Sequence, residues 1–227
     1  MSRFAVTIDG PTASGKTTLG TDLAQTFQAA FLDTGLTFRA VAYALSFETL
    51  IPTGAKWRSI LSHTPARVAV SSSGEGKPWT VHDEAVTYRG EDVTEAIWKS
   101  GLESNIGLVA ADVAWRAAIL QFHRDIVSGL PRVIAVGRDV ATTLLSSATL
   151  HVFLTANLAV RRERRRAQYR DFPERSVSVG PATSRDLECR AAIRRRPNFL
   201  EIDSTHLPAS AVAASVVRKI EEWLARA

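Results

Sequence analysis

The chain has 227 residues, 45% of them hydrophobic and 22% charged, a balance that excludes a disordered polypeptide and allows one domain with an inserted subdomain. No apolar stretch approaches the roughly 18 residues of a membrane span, and Met1-Ser2-Arg3 runs straight into an apolar segment with no room for a signal peptide, so a cytoplasmic protein without a membrane partner is expected. The formal charge of +5 is local, with arginines gathered in 161–175 and 185–196 and residues 79–112 net acidic, which suits a site that receives phosphates better than a nucleic-acid surface.

Short apolar runs alternate with helical patterns, the signature of an α/β fold with a largely parallel sheet. A strand over 4–9 leads into Gly10-Pro11-Thr12-Ala13-Ser14-Gly15-Lys16-Thr17, which fits G-x-x-x-x-G-K-[ST], and a helix over 16–28 follows. The motif needs that context: glycines let the backbone wrap closely around phosphate oxygens, while successive N–H groups and the positive end of the helix face the anion. Residues 10–17 and the adjoining Thr18 are therefore expected to bind ATP, with Lys16 on the β- and γ-phosphates and the Thr17 hydroxyl on Mg²⁺. A P-loop specifies a nucleoside triphosphate and nothing about the second substrate.

A strand over 29–32 and a helix over 36–48 come next. Residues 67–93 break the rhythm: Arg67–Val70, Trp79–Val81 and Ala85–Tyr88 are β-rich and separated by turn-like segments, predicting a small inserted antiparallel meander. A helix over 112–128, strands over 132–136 and 149–154 and a helix over 157–168 restore the pattern. Pro173, Gly180 and Pro181 mark 169–184 as an irregular loop, and a strand over 199–202 precedes a helix over 208–226 that opens at Pro208. The expectation is a three-layer α/β/α P-loop fold with a parallel five-stranded sheet, a β insertion and a lid. Lone Cys189 cannot form an internal disulfide, and the histidines show no metal-ligand spacing.

The segment Leu32-Asp33-Thr34-Gly35-Leu36-Thr37-Phe38-Arg39-Ala40-Val41-Ala42 resembles the LDTGxxYRAxA stretch of bacterial cytidylate kinases. In the same order, Gly90–Thr94 is similar to the end of that family's inserted meander, Gly137-Arg138-Asp139 to its GRD turn, Thr155–Gln168 to its lid helix and Ile202–Leu207 to its IDTTxL. The resemblance implies that Asp33, Thr34 and Gly35 border the acceptor and that Arg39 and Arg138 hold its phosphate, a task suited to a planar fork of donors. It further implies that Arg116 reads a cytosine edge, that Asp139 accepts from the exocyclic amine, and that Arg161, Arg164 and Arg165 neutralise the phosphoryl group in flight. One domain over 1–227 follows, with an acceptor-binding insertion near 36–110 and a lid near 160–181.

Plainer readings stand beside these. Asp33 could simply cap the following helix, Arg39 and Arg116 could lie on solvated helix faces, and Arg138 and Asp139 could form a surface ion pair. A helix cannot aim all five arginines of Arg161–Arg166 at one phosphate. Three departures fall on the acceptor side: Val136 stands where the family has Asp, Gly107 where it has a serine that helps read the base, and RDxxDSxR survives only as Arg185-Asp186-Leu187-Glu188-Cys189-Arg190, from which Asp186, Glu188 and Arg190 are candidates.

The expected activity is a nucleoside monophosphate kinase, transferring the γ-phosphate of ATP to CMP, dCMP or a modified pyrimidine nucleotide for which Gly107 makes room. Small nucleotides are then its partners, and a monomer is expected. A kinase of a non-nucleotide metabolite or antibiotic is the alternative, requiring Asp33 or Asp139 as general base. A nucleotide switch is a third reading, against which stands the lack of a guanine-reading N-K-x-D segment.

Overall fold

The computed structural model describes residues 4–47, 49–52, 87–88, 91–98, 101–171, 175 and 179–226. Five strands, β1 (Phe4–Asp9), β2 (Ala30–Asp33), β5 (Arg132–Val136), β6 (Leu150–Thr155) and β7 (Phe199–Asp203), form one parallel sheet in the order β2-β5-β1-β6-β7. Val6 pairs with Ile134 on one side and with Leu150 on the other, which makes β1 the central strand. A central parallel strand is covered on both faces, and this is why Val6 and Ile8 have no exposed surface and the strands read as continuous apolar runs.

Helix α1 (Lys16–Phe27) places Leu19 and Leu23 on one face of the sheet, where Val212, Val216 and Ile220 of α8 (Ala209–Leu224) complete the packing. On the opposite face, Leu32, Val133 and Ala135 meet Phe122 and Ile126 of α4 (Val113–Ser128). A further apolar cluster joins α2 (Thr34–Leu45) to α4 and α3 (Glu103–Ala111), centred on Val41, Ile97 and Ile119.

The five strands stand where the sequence predicts them, shifted by about one residue, and α1, α2, α4, α6 (Leu158–Gln168) and α8 answer to predicted helices. Helix α2 begins two residues early because the Asp33 carboxylate accepts from the Gly35 N–H, at 3.0 Å, and so caps it. Three α-helices among the described residues were not expected. Helix α3 has an interior glycine and no apolar periodicity, since Val109 alone of its residues is buried. Helix α5 (Val140–Thr143) is a single turn, assembled by a contact from a distant strand. Helix α7 (Ser184–Ile193) occupies the stretch that follows the predicted loop, and its capping box between Thr183 and Asp186 is a signal the sequence did carry. Of the predicted meander, a two-residue antiparallel pair is described, β3 (Thr87–Tyr88) with β4 (Glu91–Asp92); Arg67–Val70 and Trp79–Val81 lie outside the described residues.

Candidate active site

At the carboxyl ends of β1, β2 and β5 lies a cleft of about 1550 Å³, larger than the roughly 300–1,000 Å³ of a pocket for one small ligand and hence spacious enough for two. One end is the turn between β1 and α1. Gly10 there has φ 143° and Gly15 φ 101°, and Ala13 joins them at φ 62°, so the backbone takes left-handed conformations that turn its amides inward. The Lys16 ammonium donates to the Pro11 carbonyl across the turn at 2.8 Å. Burial, reinforced by the Arg138 guanidinium, pushes its pKa down to about 8. A neighbouring anion would reverse that shift, and a cation with few fixed partners is well placed to receive one.

Beside the lysine, the Thr17 hydroxyl donates to Asp33 Oδ2 at 3.3 Å. Asp33 thus does both things the sequence left open: one oxygen caps α2 and the other faces Thr17. Asp33 is the register partner of Val136, the position at which the resembled family carries its carboxylate, so an acid stands one strand over at the same level. Val136 itself is buried, and its carbonyl accepts from the Thr34 hydroxyl at 2.9 Å. Thr17 and Asp33 are hard oxygen donors of the kind Mg²⁺ prefers. Among the described residues no group of three or more His, Cys, Asp or Glu could hold a metal by itself.

The other end of the cleft is built from α3, α4, α7 and the turn after β5. Arg138 and Asp139 do not pair with each other, which corrects the surface-pair reading. Arg138 donates to the Thr12 hydroxyl and lies 3.8 Å from Asp186, bridging the two ends. Asp139 accepts from Arg116 at 2.7 Å and has Arg185 at 3.5 Å, and both arginines also donate to the Ala110 carbonyl. Arg39 donates to the Ile97 carbonyl at 3.3 Å and stacks on Trp98, with its guanidinium carbon 4.2 Å from the ring centroid. Gly107 faces the cleft from α3, and a Cβ built there meets nothing within 4 Å.

Asp186 and Arg190 part company. Asp186 is buried as the capping-box acid of α7; its Oδ2, which takes the Thr183 donors, is the oxygen 3.8 Å from Arg138, and its Oδ1 has no partner. Arg190 pairs with Glu201 of β7 and lies over Phe153, away from the cleft. Five residues along a helix turn by about 140° from Arg185, so when Arg185 faces the cleft Arg190 cannot. Arg185 is thus the member of that segment that enters the site.

The arginines of α6 divide similarly. Arg161 is buried and donates to the Ala156 and Thr12 carbonyls at 3.0 and 3.1 Å, while Arg164 donates to Ser14 and twice to Ser204. Both latch α6 onto the backbone of the P-loop. Arg165 lines the cleft and rests on Tyr169, donating to its hydroxyl at 2.8 Å.

A residue not anticipated is Asp9, at the end of β1. Fully buried, its carboxylate accepts from the Val140 and Ala141 N–H groups at 2.7 and 3.0 Å and thereby holds the single turn that follows Arg138 and Asp139. Burial raises its pKa to about 7, the two N–H groups and Lys16 opposing and Asp139 adding to the rise. Between about pH 4 and 7 the folded chain keeps a proton that the unfolded chain gives up, so this group's contribution to stability falls as pH rises through that window and stays lost above it. The thermal-stability margin of the native protein over Asp9→Asn should therefore narrow from pH 5 to pH 8; a margin that stays constant would show that Asp9 is ionised throughout.

The sequence profile of the family described as cytidylate kinase matches residues 6–222. This chain belongs to the cytidylate kinase family. Its relatives include the cytidylate kinase of Magnetococcus marinus, 31% identical over 98% of this chain and 97% of the relative. That of Herpetosiphon aurantiacus is 32% identical over 88% of this chain and 84% of the relative. Among solved structures, a shikimate kinase from Bacteroides thetaiotaomicron aligns over 98% of this chain and 99% of its own at 14% identity and a TM-score of 0.48.

Proposed function

We propose that the chain is an ATP-dependent nucleoside monophosphate kinase acting on CMP or dCMP. The observation that carries this reading is a two-ended cleft, with the P-loop and Lys16 at one end, the Arg116–Asp139–Arg185 group at the other and Arg138 between them. Phosphoryl transfer needs alignment and charge neutralisation more than covalent chemistry. An acceptor oxygen of the monophosphate attacks the γ-phosphorus of ATP. Lys16, Arg138 and Arg165 face the charge that spreads over the transferring group, and Arg161 and Arg164 hold the loop amides in position. Thr17 would hold Mg²⁺, with Asp33 behind, and the ion would supply positive charge to offset that of the phosphates.

Asp139, flanked by two guanidiniums, is arranged to accept hydrogen bonds from an exocyclic amine rather than to remove a proton from a hydroxyl. This favours a cytosine nucleotide over the non-nucleotide alternative. The segment near 36–110 serves as the acceptor-binding insertion, and the segment near 160–181 closes as the lid that excludes water. The enzyme acts as a cytoplasmic monomer on small nucleotides; among the described residues no helix is long and apolar enough to cross a membrane.

The test is ATP consumption with CMP, dCMP, UMP and a panel of metabolites bearing hydroxyl groups. CMP or dCMP should give the highest kcat/KM. Asp139→Asn, which can no longer accept with both oxygens, should lower it by about 10- to 100-fold with ATP affinity unchanged. Turnover confined to a non-nucleotide acceptor would reject the proposal.

A further inference from the structure

The cleft-facing stripe of α3 has a composition that the reaction above does not use. Glu103, Ile106, Gly107, Ala110 and Ala111 line the cleft, the i, i+3/i+4, i+7/i+8 spacing of one helix face. At the C-terminal end of the stripe, the Ala110 carbonyl takes the N–H donors of Arg116 and Arg185, the two arginines that grip Asp139. At the other end stands Glu103. Seven residues at 1.5 Å each put about 10 Å between the two along the axis, more than a bare pyrimidine ring spans.

Glu103 is chemically unsatisfied. Its Oε1 is shielded from solvent and accepts no hydrogen bond. The Arg39 guanidinium is close enough to feel the Glu103 charge, but it is turned to the Ile97 carbonyl and the Trp98 ring. A shielded carboxylate oxygen without a donor is rare in folded proteins and points to a ligand group that completes it. Between Glu103 and Ala110 lies Gly107, one turn from Glu103, with no atom within 4 Å of a Cβ placed there. Its φ is not in the left-handed region, and it sits within a helix that its presence weakens, so neither the backbone nor the packing requires glycine at this position.

We infer that Glu103 and Gly107 form a subsite for a hydrogen-bond-donating substituent on the acceptor's pyrimidine ring, a hydroxyl or amine carried on a short carbon arm, with Gly107 leaving room for the arm and Glu103 accepting from its end. The inference rests on the acceptor being a pyrimidine monophosphate read by Asp139 and Arg116. No covalent step is added, since the substituent is bound and not transformed.

The experiment compares dCMP, 5-methyl-dCMP and 5-hydroxymethyl-dCMP on the native protein and on Glu103→Ala, Glu103→Gln and Gly107→Ser. It measures kcat/KM and, by calorimetry with a non-hydrolysable ATP analogue and Mg²⁺, Kd. The native protein should favour 5-hydroxymethyl-dCMP over 5-methyl-dCMP by about tenfold or more, the value of a hydrogen bond to a charged group. Glu103→Ala should bring that ratio to about one, and Glu103→Gln, which still accepts through its carbonyl, should retain part of it. Gly107→Ser should weaken both substituted nucleotides relative to dCMP, which keeps the inference testable even where the Glu103→Ala protein does not fold.

Equal Kd values for the methyl and hydroxymethyl compounds on the native protein, or a preference that survives in Glu103→Ala, overturn the subsite. Equal Kd values with brisk turnover overturn the subsite alone and leave the kinase reading standing. A hydroxymethyl preference in Kd without turnover upholds the subsite and rejects the reaction, and absence of nucleotide binding overturns both.

Discussion

Lys16→Ala is expected to lower kcat by on the order of a thousandfold, comparable to losing a principal electrostatic donor at a transition state, while the thermal unfolding curve stays in place. The asymmetry follows from where the ammonium sits. Within the protein its recorded hydrogen bond goes to one carbonyl, Pro11, at 2.8 Å, and burial holds its pKa down to about 8, so its charge stabilises the fold little. Toward a triphosphate the same desolvated charge is strong, because few solvent molecules compete for it. Burial also sets a pH limit: ATP association with the free enzyme should weaken as pH rises through about 8, where the side chain loses its proton, and the limb should vanish in Lys16→Ala. Steady-state kinetics across pH 6.5–9.5, read beside a melting curve, check both. A variant with near-native turnover would show that the cradle does not act on the transferring phosphate.

Gly10→Ala should have the reverse signature, a loss of fold rather than of chemistry alone. A Cβ at this position lies 2.1 Å from the Leu154 carbonyl oxygen, and φ of 143° is itself closed to side chains. The obstacle is backbone of β6, a strand locked between β1 and β7, so it cannot step aside as a flexible side chain would. A cost of about 3 kcal/mol or more follows, equivalent to a Tm about 10 °C lower in a chain of this length, together with loss of ATP binding. Gly129→Ala is the control: a Cβ there meets nothing within 4 Å, and its φ of −91° suits any residue. Calorimetric melts of the two variants should differ clearly, and equal melts would show that β6 yields.

The two variants mark off different parts of the loop: Lys16 carries charge, whereas Gly10 carries geometry. Both were legible in the motif, because a phosphate cradle needs a fixed spacing of glycines and one cation within eight consecutive residues. Segments that were less legible share a feature. The acceptor end is made by residues far apart in sequence whose side chains meet at Ala110 and Asp139, and no local pattern encodes that meeting. Arg190 was an expected substrate contact because it lies in the right segment, yet the phase of α7 turns it to Glu201 and brings Arg185 in its place. Arg161 and Arg164 were expected to touch phosphate; their guanidiniums are engaged by Thr12, Ser14 and Ser204.

Periodicity, punctuation and one short motif were enough, by themselves, to determine the five parallel strands and the P-loop with its helix, Lys16 and Thr17 included. These are properties of neighbours along the chain, where the hydrogen-bonding geometry of strand, turn and helix constrains the choice of residue. Only the tertiary structure decided that Asp9 holds the turn behind Arg138, that Asp33 both caps α2 and meets Thr17, and that Glu103 ends a cleft-facing stripe with an unmatched oxygen. A buried carboxylate finds its donors through the packing of distant strands and helices, and that packing is a property of the whole fold rather than of any segment within it.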